Sequence, residues 1–400
     1  MVAIETIPSE EEVSLSEGIR ARHIRSLDGV RGIAVLAVMG SHLFPGNTEG
    51  ILRPIGAFLR FGATGVDLFF VLSGFLITGI LYDSLEDTGY FRKFYARRAL
   101  RIFPLYYGIL FVCFALTPWL GTHWKSMKWL YILYLQNTDI AGPHELFSVS
   151  TGVSLTHFWS LAVEEQFYLV WPMLVFLIRG RGNLLRLCFA LSGVALCLRL
   201  FLTLHNVRYA VINGHTLCRM DSLLIGGALA LLMRSTYRDS ILQWAKAAFF
   251  LVVVVATALA LSRSMFAEQS QRIVVFDALS LSLHYTLMAV GSAALIAWCF
   301  QPSSIPRRIF ENRSLCFFGK YSYGLYVLHF VALGFLIRTF RGWIRIVIPS
   351  KGVEVAGAGI LAFVVAVVAA YASYNLYEKR FLRLKQYFDY DGLGCTGGSK

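Results

Sequence analysis

The chain has 400 residues, 56% hydrophobic and 15% charged, with a mean hydropathy of +0.60. Soluble domains average about 25% charged, so this composition excludes a soluble globular protein, and long apolar runs from Gly32 to Tyr377 indicate a polytopic membrane chain. The net charge of +13 would suggest nucleic acid in a soluble protein. Here the basic residues lie in the connections between apolar runs, as membrane topology requires, so a lipid bilayer is expected as the partner and nucleic acid is not.

In chain order, residues 1–25 read as a polar, disordered cytoplasmic tail and residues 387–400 as a flexible one, with the membrane domain over 26–386 between them. Ten spans are expected, near 29–45, 63–83, 102–120, 157–178, 184–204, 217–234, 243–262, 279–300, 316–338 and 354–377. They are expected to form an all-α bundle, because backbone groups in lipid must satisfy one another, and stretches such as FFLVVVVATALALS lack the alternation of a barrel strand. WLYILYLQN at 129–137 is too short to span and reads as a re-entrant or interfacial piece. Lys and Arg are denser in the connections that share a side with the termini, which places both termini in the cytoplasm of a cell-membrane protein. The seven cysteines show no CxxC pair, and Cys113, Cys188, Cys197 and Cys299 read as small hydrophobes within spans.

Ionisable residues inside these spans are the candidates for function, since each is costly in hydrocarbon. SLDGVRGIAVLAVMGSHLF places Arg31 and His42 eleven residues apart in the first span. On a helix they lie about 20° apart in azimuth and about 16 Å apart in height, so both can line one cavity. A topology-setting arginine plus a hydrogen-bonded structural histidine is the alternative, and spacing alone favours it. GATGVDLFFVLSGFLITG carries Asp67 and Ser73 among small residues that permit close approach. FRKFYARRALRIFPLYY supplies Arg97, Arg98 and Arg101, either a positive-inside anchor or a phosphate clamp. In HFWSLAVEEQFYLVWP, His157, Ser160, Glu164 and Tyr168 share a face beside Glu165. At least one of the two carboxylates should meet a cation, a histidine or a substrate hydroxyl, unless they form a structural ion pair. RMDSLLIGGALA brings Arg219 and Asp221, which can neutralise each other. GKYSYGLYVLHF aligns Tyr323, Tyr326 and His329 beside Ser322. The histidines are dispersed without paired ligand spacing, so no metal site is expected.

Taken together, the order of LDGVRGIAVLAVMGSH, GVDLFFVLSGFLIT, FYARRALRIFPLYY, HFWSLAVEEQFYLVWP, RMDSLLIGGALA, YSYGLYVLHF and YNLYEKRF resembles the acyltransferase-3 family of integral membrane O-acyltransferases, from about Ser26 to Arg380. The resemblance implies transfer of an acyl group, usually acetyl, from cytoplasmic acyl-CoA to a hydroxyl on lipopolysaccharide, exopolysaccharide or another glycan. It implies that Arg31 and His42 are essential, that the arginine cluster maps onto Arg97, Arg98 and Arg101, and that the family carboxylate maps onto Glu164. Within it, His42 is expected as general base or acyl relay, with Arg31 and Glu164 completing the catalytic set. The arginine cluster, Asp67, Ser73, Tyr168, Arg219, Asp221, Tyr323 and His329 are then expected around acetyl-CoA and the carbohydrate acceptor, in a chain that can form a homo-oligomer. A proton-coupled transporter is the alternative outside the family, and succinyl or longer-acyl transfer the alternative within it.

Overall fold

A computed structural model describes residues 24–44, 59, 61–120, 128–138, 154–266, 273–347 and 351–390. Of the tails expected at 1–25 and 387–400, residues 1–23 and 391–400 lie outside the described residues, as do connection residues such as Arg53, Lys125 and Arg272. Among the described residues there is no strand.

Ten long helices carry the fold. They are α1 (Arg25–Leu43), α2 (Gly65–Asp83), α3 (Tyr90–Ala115), α5 (Trp159–Ile178), α6 (Arg181–Leu204), α8 (Thr216–Leu232), α9 (Arg238–Phe266), α10 (Ile273–Cys299), α13 (Ser322–Val347) and α14 (Lys351–Ser373). Short helices lie between them: α4 (Lys128–Ile132), α7 (Tyr209–Gly214), α11 (Ile305–Phe310) and α12 (Arg313–Lys320). Among the described residues, eight helical segments are long and apolar enough to cross a membrane. α1 and α13 are the other two of the ten. α1 carries Arg25, Asp28 and Arg31, and the qualifying apolar stretch of α13, Ser322–Leu336, is shorter. Each expected segment overlaps one of these long helices, though α3 begins twelve residues earlier and α13 ends nine later than expected, and eight rather than ten qualify as spans.

Packing is closest where glycines replace side chains, as expected of helices that associate in lipid by backbone approach. A Cβ on Gly74 of α2 would sit 1.8 Å from the Leu223 carbonyl oxygen of α8, and one on Gly226 of α8 would sit 2.0 Å from that of Val71. The two glycines therefore let α2 and α8 touch along their backbones. α1 does the same with α11 and α12. A Cβ on Gly29 would meet the Phe310 oxygen at 1.8 Å, and one on Gly32 the Leu315 oxygen at 2.0 Å. The glycines of LDGVRG are thus packing residues that seat Arg31.

The short α4 and the turn after it are not lipid-facing backbone. Gln166 of α5 donates to the Tyr134 carbonyl at 2.7 Å and to Asn137 Oδ1 at 2.8 Å, and Asn137 donates to Thr216 Oγ1 and to the Gly214 carbonyl. This ring of amides ties 128–138 to α5 and α8, supplying the partners that irregular backbone needs at membrane depth. At the other extremity the chain stays packed to Tyr390, beyond the expected boundary at 387. Arg97 pairs with Asp389 at 2.5 Å, and Tyr390 is buried.

Gly226→Val should lower the melting temperature of the purified protein by several degrees, because an overlap with backbone cannot be relieved by a rotamer change. Gly182→Ala, where a Cβ meets nothing within 4 Å, should leave it unchanged. Equal melting of both variants would mean that α2 and α8 are not held at this distance.

Candidate functional site

The buried charges divide into two groups. In the first, each charge is matched to a partner on another helix. Arg219 of α8 bonds Asp67 of α2 at 2.8 Å, and Ser222 also donates to Asp67, at 3.3 Å. Asp221 takes Arg199 of α6 at 2.7 Å and the Thr286 hydroxyl at 2.8 Å. Arg199 also donates to the carbonyls of Cys218 and Ser282. Arg219 and Asp221 therefore do not neutralise each other, as their adjacency suggested. Two positions apart on a helix they face different ways, and each is matched by a different neighbour. Asp67, Arg219 and Asp221 cross-link α2, α6, α8 and α10, and none of them lines the main cavity described below. Arg199, lodged mid-span in CLRLF, was not singled out from the sequence. Its signal was the usual one, a lone arginine in an apolar run.

The second group lines a cavity between α1, α2, α3, α5 and α13 that holds about 870 Å³ of space, counting its mouth. Arg31, Arg98, Arg101, Glu164, Glu165, Ser73 and Tyr168 are on its wall, with Ser160, Ser322, Tyr323 and Tyr326. Arg31 reaches Asp28 at 2.9 Å. Arg98 lies over the rings of Tyr168 and Phe94, 5.3 and 5.9 Å from their centroids. Among the described residues neither Arg98 nor Arg101 forms an ion pair with a carboxylate, and Glu165 Oε1 is buried without a hydrogen-bond partner. Ser73 is hydrogen-bonded to Tyr168. Arg31 is thus paired with Asp28, while Arg98, Arg101, Glu164 and Glu165 share one hollow with no direct ion pair among them in the described residues.

Arg97 stands apart from this cavity. It faces the opposite way to Arg98, donates to the Lys385 and Phe388 carbonyls and to Asp389, and packs on Tyr390. Its role is to dock the chain after α14, and its sequence neighbours Arg98 and Arg101 are the ones that face inward. Arg101 also borders a smaller hollow with Lys320 and Glu378. Glu378 is turned into the bundle by a single π-helical turn, Tyr374–Glu378, where it accepts from Ser373 at 2.8 Å. Such turns re-aim side chains and recur at functional sites.

His42 does not line the cavity of Arg31, although the two share a helix face. Tyr326 stands between. Its hydroxyl donates to the His157 carbonyl at 2.8 Å and lies 2.5 Å from Ser160 Oγ. Behind it, His42, His157 and His329 gather around Phe330. His329 Nδ1 lies 2.7 Å from the Tyr326 carbonyl, which can only accept, so Nδ1 carries the proton and Nε2 is bare. His42 Nδ1 is 2.9 Å from that Nε2, so it must donate. His42 is thereby fixed in one tautomer, with a basic lone pair on Nε2. His157 donates through Nε2 to the Val327 carbonyl at 3.3 Å, and its Nδ1 has no partner. No group of three His, Cys, Asp or Glu residues suited to a metal ion occurs among the described residues.

Asp67→Ala should cost about 3–5 kcal/mol of stability, because it strands a buried guanidinium. Thermal unfolding in detergent measures this, and an unshifted transition would mean that Arg219 needs no counter-charge.

Comparison with known proteins places the chain among acyltransferases. The acyltransferase-domain family model matches residues 24–374. Among curated proteins, one from Staphylococcus aureus (strain COL), whose O-acetyltransferase title is itself provisional, is 30% identical over 336 residues, covering 79% of this chain and 52% of that one. The peptidoglycan O-acetyltransferase OatA of Listeria monocytogenes is 28% identical over 322 residues, 77% of this chain and 49% of its own. O-acetyltransferase OatA of S. aureus (strain NCTC 8325 / PS 47) is 28% identical over 335 residues, 79% and 51% respectively. The chain spans about half the length of these relatives. No solved structure matches it.

Proposed function

The chain belongs to the acyltransferase-3 family, and from that premise we propose that it is a multi-pass membrane O-acetyltransferase that takes acetyl-CoA as donor and a carbohydrate hydroxyl as acceptor. The observation that carries the reading is the fixed tautomer of His42, held by His329 with Nε2 left as a base. A thioester is already activated, so the protein has to deprotonate an alcohol, align it and balance the charge that develops.

The donor's phosphates fit the arginine cavity, where Arg98 and Arg101 offer planar donors without carboxylate partners. Arg31 lies on the same wall. Glu164 and Glu165 follow Ser160 by four and five residues on α5 and line the same hollow, where they limit its net charge. The acetyl end then points toward Tyr326, and movement of that ring opens the way to His42. His42 Nε2 removes the proton of the acceptor hydroxyl. The oxygen attacks the thioester carbon, a C–O bond forms, the C–S bond breaks, and the proton passes from His42 to the departing sulfur. His329 is a positioning residue in this scheme, because it acts only through His42. The cell membrane, with both termini in the cytoplasm, places acetyl-CoA on the arginine side. The polysaccharide class of acceptor is supported by the name of the L. monocytogenes relative.

His42→Ala should abolish transfer while CoA still binds. His329→Ala should lower kcat by about 100-fold, the usual scale of misplaced acid–base catalysis, with KM for acetyl-CoA unchanged. His329→Gln, whose amide oxygen can accept the same bond, should recover part of it and shift the pH profile of kcat. Full activity in His42→Ala would overturn the reading, and unchanged kcat in His329→Ala would detach the tautomer from the chemistry.

A further inference from the structure

A second cavity lies beside the first turn of α5, next to the arginine cavity, and the proposed reaction has not used it. It is lined by Tyr131, Gln136, Thr156, Trp159, Asn213 and Gly214, with Ala210, and holds about 590 Å³ counting its mouth. Thr156 and Trp159 lie at the start of α5, whereas Glu164 and Tyr168 of the arginine cavity are further along it. The two hollows are therefore displaced along the helix axis. An aromatic pair separates them. Trp159 borders the second cavity, Phe70 the first, and their rings meet edge to face at 6.1 Å. Between Thr156 and Trp159 in sequence, His157 turns the other way and meets His329, with ring centroids 5.0 Å apart. The wall of the second cavity thus backs directly onto the histidine cluster.

The lining has a distinct chemistry. It has no charged side chain among the described residues, which distinguishes it from the arginine cavity and disfavours a phosphorylated ligand. It has two flat aromatic rings and three neutral groups, Gln136, Thr156 and Asn213, that offer both donors and acceptors. Gln136 is 5% exposed, its amide nitrogen donates to the Phe158 carbonyl at 2.9 Å, and its Oε1 is buried without a partner. An unmatched buried acceptor costs free energy unless a ligand supplies the donor. Gly214 gives a second, independent sign. It is buried, yet among the described residues a Cβ built on it meets no atom within 4 Å, so no described helix packs against that position.

We propose that this second cavity binds a neutral saccharide unit of the acceptor, with a sugar face against Trp159 and Tyr131 and hydroxyls on Gln136, Asn213 and Thr156. This deepens the acetyltransferase reading and rests on it. Donor and acceptor then sit in neighbouring cavities on either side of the Phe70–Trp159 pair. The Phe70–Trp159 pair keeps the two ligands from sharing one solvent-filled channel.

The test is Gly214→Leu in the full chain, purified in nanodiscs, beside Gly193→Leu. Gly193 is equally open but exposed on α6, away from both cavities. Binding of radiolabelled chitotetraose, cellotetraose and maltotetraose is measured with that of CoA. Wild type and Gly193→Leu should retain at least one of the three glycans. Gly214→Leu should lose at least tenfold in glycan affinity while binding CoA within twofold of wild type. Gly214→Leu with unchanged glycan affinity overturns the assignment, as does a wild type that binds CoA but none of the glycans; in both cases the acetyltransferase reading stands. A wild type that binds no CoA overturns that reading and this inference with it.

Discussion

Hydrocarbon does not tolerate an unmatched charge, and that constraint organises the molecule. Arg219 with Asp67 and Arg199 with Asp221 are each buried on both partners. They join α2 and α6 to α8, and the Thr286 hydroxyl on Asp221 adds α10. Buried pairs of this kind add little net stability over an apolar core, but removing one partner is costly. Their effect is therefore to fix which helices are neighbours and in what register. The backbone contacts at Gly74 and Gly226 then hold α2 against α8 at a distance no side chain would allow.

With those charges satisfied, the remaining ones stand out. Arg98 and Arg101 line a cavity without carboxylate partners, opposite Glu164 and Glu165. A channel or transporter also places charges in its interior, so the charges alone do not define chemistry. The histidine cluster does more. A base is useful only if its lone pair is known, and the Tyr326 carbonyl, through His329, settles which nitrogen of His42 keeps one. The same logic orients imidazoles in hydrolytic triads, with a carbonyl and a second histidine here in place of a carboxylate.

Much of this was legible in the sequence because membrane helices write their function in polar letters. The spans, the shared face of Arg98 and Arg101 and the Ser160–Glu164–Tyr168 stripe followed from periodicity, and the family from the resemblance of its ordered motifs. What was not legible is pairing between helices. Arg219 and Asp221 are near in sequence and looked self-sufficient. Arg199, more than twenty residues upstream of Asp221, claims the aspartate instead, and no local pattern announces that. Arg97 differs from Arg98 only in azimuth, and the residue that explains it, Asp389, lies in a segment that composition marked as tail. His42 and Arg31 share a face as expected, yet Tyr326 from a distant helix divides them, because a helix face can border more than one compartment along its length.

The claim on which the account turns is that the arginine cavity is built for the phosphates of CoA. Calorimetric titration of the purified chain with CoA tests it most directly, comparing wild type, Arg97→Ala and the double variant Arg98→Ala with Arg101→Ala. Two charge-assisted contacts predict a loss of about 100-fold or more in the double variant, and a change of about threefold or less in Arg97→Ala. A double variant that binds CoA like wild type, or an Arg97→Ala as impaired as the double, would contradict the account.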